Sequence, residues 1–170
     1  MRTHPQSPGA SLKIVFFLLM CSLLSVIFLH RYVFAVYIIE GSSMWPTLKD
    51  GDTALVNMLV RRIGSIERGE IVLVRDGQYR EYATKRIIGL PGERIEIRDN
   101  RVRVNGHPLD EPYLPKGTVT ASSCPSFVLG SRDYFVLGDN RADSFDSRSY
   151  GPLPKGDIMG SYSRTFWACR

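Results

Sequence analysis

The chain is poor in the residues that catalysis and cross-linking most often use. Its 170 residues hold three Cys and three His, and lysine is scarce, with five Lys against seventeen Arg. Three cysteines are too few for a disulfide scaffold, and Cys and His show no zinc spacing. No metal and no cofactor is expected. The thin supply of histidine weakens any hydrolase built on an imidazole base. His4 lies near the N-terminus, His30 ends an apolar run, and His107 sits in Asn105-Gly106-His107-Pro108, which reads as a surface turn. Internal repeats and low-complexity runs are missing, and beyond residue 40 no amphipathic window exceeds two or three helical turns. A helix bundle and a repeat array are thereby excluded. The net charge of +5 forms no stripe, because Arg residues alternate with Asp and Glu, so nucleic acid is not an expected partner.

Turn residues, by contrast, are plentiful, with Gly 15 and Pro 10 beside a hydrophobic share of 44%. That share supports a packed core, and the length fits one ordinary domain. Apolar residues concentrate at one end. Residues 14–29 read IVFFLLMCSLLSVIFL without a charge. At about 1.5 Å per residue this run covers most of a hydrocarbon core about 30 Å thick. Lys13 and Arg31 can snorkel to the two interfaces. The run predicts a transmembrane helix of about 12–34. A cleavable signal peptide is the alternative, but no small-x-small exit follows, and Met20 before Cys21 does not suit a lipoprotein. Arg2 and Lys13 precede the run, so the positive-inside rule puts the N-terminus in the cytoplasm and the rest of the chain outside. The expected division is a cytoplasmic tail 1–12, an anchor 13–36 and an extracytoplasmic domain 37–170.

Past the anchor the pattern is of short strands and turns. Ile71 to Val74 is a buried-strand candidate, and Asp76-Gly77 is a hairpin turn from which Arg80 to Ile88 returns. Arg94–Arg98 and Arg101–Val104 alternate around Asp99-Asn100, and Tyr134–Leu137 is a further strand. The fold class expected is mainly β: an antiparallel sheet domain behind an N-terminal helix.

Three segments carry candidate chemistry: Gly41-Ser42-Ser43-Met44-Trp45-Pro46-Thr47-Leu48, Lys85-Arg86-Ile87-Ile88-Gly89-Leu90-Pro91-Gly92, and the Asp-rich stretch Gly138 to Arg148. A serine nucleophile needs a base. His107 would have to supply a Ser-His-Asp triad, whereas a desolvated neutral lysine can take the place of histidine. Lys85 shares a strand face with Ala83 and Ile87. Burial disfavours the ammonium form, and bringing its pKa from about 10.4 to near 7–8 requires roughly 3–5 kcal/mol. Without that role, Lys85 reads as a snorkelling residue at a sheet edge. Asp139, Asp143 and Asp146 miss the order of a calcium loop, so the default account of that stretch is a polar loop held by internal Asp–Arg pairing.

In order, and behind one anchor, these segments resemble bacterial type I signal peptidases. The likeness rests on GSSMWPTL, RGEIVLV, KRIIGLPGE and GDNRADSFDSRSYGPLP, and covers nearly the whole chain. It implies Ser43 as nucleophile and Lys85 as general base, with the Ser144 hydroxyl orienting the lysine amine and Asp146 and Arg148 as a structural ion pair. It also implies a small β region inserted at about 98–132, and exported preproteins with signal peptides as substrates. The setting implied is the bacterial cytoplasmic membrane, with one pass through the lipid bilayer. Some members place a serine two positions before the nucleophile as an oxyanion donor. Here that position is Gly41, which leaves the Ser43 backbone N–H as the named donor. Two other readings are a specialised maturation peptidase of the same serine–lysine class and an inactive membrane-anchored β domain that binds a partner.

Overall fold

The computed structural model describes residues 8–59, 65–75, 81–122 and 126–167. The Asp76-Gly77 turn, most of the N-terminal tail, and Cys124 and Cys169 lie outside the described residues. Helix α1 spans Pro8–Tyr32. Its side chains from residue 12 to residue 28 are all exposed, Phe16 and Leu19 by more than 60%. Among the described residues no helix is long and apolar enough to cross a membrane. After one residue the chain enters strand β1, Phe34–Ile38.

A seven-stranded sheet follows in the order β1-β2-β11-β3-β4-β9-β10. Its further strands are β2 Thr53–Asn57, β3 Ile71–Arg75, β4 Tyr82–Gly89, β9 Asp133–Leu137, β10 Leu153–Pro154 and β11 Ile158–Trp167. All of these pairings are antiparallel. β3 is a run of β-branched and leucine residues buried on both faces, as a central strand requires. Edge strand β1 alternates exposed and half-buried positions. β1 and β4 are separated by three strands in the sheet order, yet the rings of Tyr37 and Tyr82 meet with centroids 6.1 Å apart. The sheet therefore curls on itself.

A second, four-stranded sheet is built from β5 Arg94–Arg98, β6 Arg101–Val104, β7 His107–Pro108 and β8 Ser126–Val128, in the order β7-β6-β5-β8. Asp99 and Asn100 take φ of 53° and 60°, the left-handed geometry of a two-residue hairpin turn. The register then sets Ile95 against Val104 and Ile97 against Val102. Their inner face packs with Phe135, Leu137 and Leu129, which joins the two sheets. A separate cluster of Ile39, Met44, Leu48, Ala54 and Ile71 lies under the loop that follows β1.

Candidate active site

Ser43 sits on the loop after β1. The side chains beside it explain why the loop has one shape: Met44 is 1% and Leu48 2% exposed, so the apolar cluster beneath holds the loop from within. Gly41 enters the loop at φ 83°, a region open to glycine and strained for other residues, and its N–H donates to Asp50 Oδ1 at 2.7 Å. From the other side the Gly138–Arg148 loop clamps it. Asn140 N–H donates to the Ser43 carbonyl at 3.0 Å, Asn140 Nδ2 to the Ser42 carbonyl at 3.2 Å, and Ser42 Oγ to Asp143 Oδ2 at 2.6 Å.

Lys85 lies on β4 opposite Val72 and is 3% exposed. Arg86 on the other face is also buried, so exposure alone does not single out the lysine. Register does. Arg86 pairs with Leu137 and Ile87 with Val136, and the same register carried one residue past the end of β9 sets Lys85 toward Gly138. Residues directly opposite in an antiparallel pair project from the same face. A Cβ on Gly138 would fall inside van der Waals contact with both the Ser43 carbonyl oxygen and Ser144 Oγ. The missing side chain of Gly138 is thus the space that the Ser43 carbonyl and Ser144 share. Ser144 Oγ is buried there without a hydrogen-bond partner among the described residues.

The loop that carries Ser144 is fixed by charge. Asp146 is fully buried, caps the short helix α2 (Ser147–Tyr150) and accepts from Gly138 N–H at 3.0 Å. Arg148 Nε and Nη2 each reach it at 2.9 Å. Pairing is internal for Asp146 and Arg148 but not for the other two aspartates: Asp143 takes the Ser42 hydroxyl, and Asp139 takes Arg86 from β4 at 2.8 and 2.5 Å. Loop-internal pairing was the expectation because sequence proximity is all that a linear reading offers.

Arg86 continues the network. Its guanidinium lies 3.9 Å from the centre of the Tyr113 ring, and the Tyr113 hydroxyl donates to Glu111 Oε1 at 2.8 Å. Burial, then the Glu111 charge, push the Tyr113 hydroxyl pKa above its ordinary value. Glu111 also pairs with Arg141, whose Nε donates to the Gly138 carbonyl at 3.0 Å and whose Nη1 takes Thr120 Oγ1 at 2.6 Å. Segment 111–120 is thereby tied to both sides of Gly138. Beyond the site, Arg68 holds Glu93 in a two-pronged pair. Burial raises the Glu93 pKa, but the Arg68 bonds, the Leu90 N–H and the Arg68 charge bring it below its usual value.

His107 is exposed in β7 of the second sheet, and Cys21 is exposed on α1. No group of three His, Cys, Asp or Glu is placed to hold a metal among the described residues. Within the Gly138–Arg148 stretch, Gly138, Asn140 and Arg141 have no individual role that the sequence assigns. The register between β4 and β9 is what exposes Gly138, and no local signal carries it.

Comparison with known proteins turns this geometry into a class: the chain is a serine endopeptidase, a peptide-bond hydrolase. It belongs to the signal peptidase family, peptidase S26, whose model matches residues 11–167. It is 35% identical over 155 residues to signal peptidase I T of Bacillus subtilis, covering 86% of this chain and 80% of that protein. With signal peptidase IB of Staphylococcus aureus it shares 36% over 153 residues, covering 81% and 80%. A crystal structure of a signal peptidase I from Enterococcus faecalis aligns with a TM-score of 0.51 at 29% identity, over 58% of this chain and 97% of that one.

Proposed function

We propose that the enzyme removes N-terminal signal peptides from exported preproteins through a Ser43–Lys85 dyad. The observation that supports the reading is the meeting of the Ser43 loop and Ser144 at Gly138, beside the end of the β9 strand that pairs with the strand of the buried Lys85. Neutral Lys85 accepts the Ser43 Oγ proton as Oγ adds to the carbonyl that ends the signal peptide. The oxyanion so formed takes the Ser43 backbone N–H, a contact type worth roughly 2.7–4 kcal/mol in the transition state. The lysine then gives its proton to the leaving nitrogen, and the new N-terminus of the mature chain departs. Signal peptide and Ser43 remain joined as an ester. Water, losing its proton to Lys85, attacks that ester, releases the signal peptide as a carboxylic acid and restores the serine hydroxyl. Ser144 orients the amine, and Asp146 with Arg148 holds the Ser144 loop.

Substrate has a natural berth. A cleft of about 450 Å³ lies between β1 and β4, lined by Tyr37, Ile38, Glu40, Tyr82 and Thr84. β1 is an edge strand, so an extended peptide can add its backbone there. The proposal includes the anchor: α1 carries exposed apolar side chains from Leu12 to Phe28, and β1 follows it after one residue. The active site then stands near the membrane surface, with residues 1–12 cytoplasmic and 37–170 outside. The inserted β region expected at about 98–132 is supported by the four-stranded sheet, whose strands fall within 94–128.

Ser43→Ala and Lys85→Ala are each expected to abolish cleavage of a model preprotein in detergent, with products mapped by mass spectrometry. Full activity of Lys85→Ala would falsify the dyad. Because protonated lysine is no base, the rate of the native enzyme falls as pH is lowered. A profile flat down to about pH 5 is incompatible with a lysine base of the usual range.

A further inference from the structure

A second cleft opens beside the Ser43 loop. It has a volume of about 360 Å³ and is lined by Trp45 and Pro46 of the nucleophile loop, Lys116 and Val119 of the inserted region, and Asn140 and Ala142 of the late loop. The two clefts are arranged about the nucleophile in chain order. Residues 37, 38 and 40 line the first, and residues 45 and 46 line the second. Asn140, whose N–H holds the Ser43 carbonyl, is part of its wall.

The chemistry of the second cleft is specific. Trp45 is 55% and Val119 54% exposed, so two apolar side chains stand open to water beside the nucleophile. Two of the three charges are neutralised inside the protein: Asp139 by Arg86 and Arg141 by Glu111. The third, Lys116, has no ion pair among the described residues. The cleft thus presents an indole face, a valine and one uncompensated positive charge.

We infer that this cleft holds the residues that follow the scissile bond, the first few of the mature chain, and that Lys116 favours an acidic residue among them. The inference rests on the reading of Ser43 as nucleophile. A substrate whose carbonyl meets Ser43 Oγ must leave in two directions, and the β1–β4 cleft takes the signal-peptide half. The other half enters between Trp45 and the inserted loop, where its apolar side chains pack on the indole and its backbone passes Asn140. The inserted region is then part of the substrate site and selects on the departing product.

Two peptides identical up to the cut, with Asp or Lys as the second residue after it, test this by their kcat/KM ratio. Native enzyme is expected to favour the Asp peptide about threefold, the scale of a solvent-exposed ion pair. Lys116→Gln brings the ratio to about one and Lys116→Glu reverses it, each variant first checked for a native melting curve. The same ratio in all three proteins overturns the inference. So does a charge response to Lys116→Glu that follows residues before the cut. If native enzyme cleaves neither peptide and no preprotein, the Ser43 reading itself fails and the inference falls with it.

Discussion

Gly138 shows how little of a site one side chain can reveal. It has no functional group, yet it follows β9 directly, and a side chain there would meet the Ser43 carbonyl and Ser144 Oγ. Gly138→Ala is expected to lower kcat by at least about a hundredfold, because a misplacement of about 1 Å in a reacting group has that effect. Initial rates beside a thermal melt check it. Near-native kcat would show that the two serines yield without consequence. The residues with chemical groups were legible: a serine before Met44 and a lysine among apolar neighbours stand out in a lysine-poor chain. The partners of Asp139 and Asp143 were not, since Arg86 lies 53 residues from the first and Ser42 101 residues from the second. Which aspartate meets which partner is decided by loop closure, and a linear reading sees only near neighbours.

Among the elements, the strands of the sheets follow period-two alternation and turn chemistry closely. β3, β5, β6 and β9 lie where their β-branched residues and the Asp99-Asn100 turn put them. β2, β11 and the short β7, β8 and β10 are not among the strands the sequence predicts, and β1 is read as something else. Its apolar residues continue the run that precedes them, so composition alone joins Phe34–Ile38 to the helix, whereas pairing with β2 makes a strand. Curling of the sheet is another property without a local signal, since it emerges from seven strands together. The inserted region is bound to the catalytic loop by one residue above all. Arg141, with its side chain fully buried, joins Glu111 and Thr120 to the Gly138 carbonyl. Arg141→Met leaves Glu111 without its cation and is expected to destabilise the fold by about 3–5 kcal/mol. Urea unfolding measures this, and kcat falls in parallel as Gly138 loses its carbonyl contact. An unfolding midpoint equal to the native one would mean that the two sheets hold together without the strap.

At the scale of the molecule, the proposed anchor makes a prediction about the separation of α1 from the sheet. The Val33 carbonyl accepts Met58 N–H at 2.8 Å, so a chain beginning at Val33 keeps that bond and every β1–β2 pairing. That chain is expected in the aqueous phase of a detergent cloud-point partition, and the full chain in the detergent phase. Recovery of the full chain from the aqueous phase would remove the anchor from the proposal. The opening scarcity of lysine also has a consequence at this scale. Of the three cations buried among the described residues, Arg86 and Arg141 fasten the loops and only Lys85 can release a proton in the ordinary range. A guanidinium stays charged past about pH 12, so the framework around the nucleophile is blind to alkalinity. Under the proposed topology and dyad, such a division of labour lets the medium set the state of the amine while the shape that surrounds it stays constant.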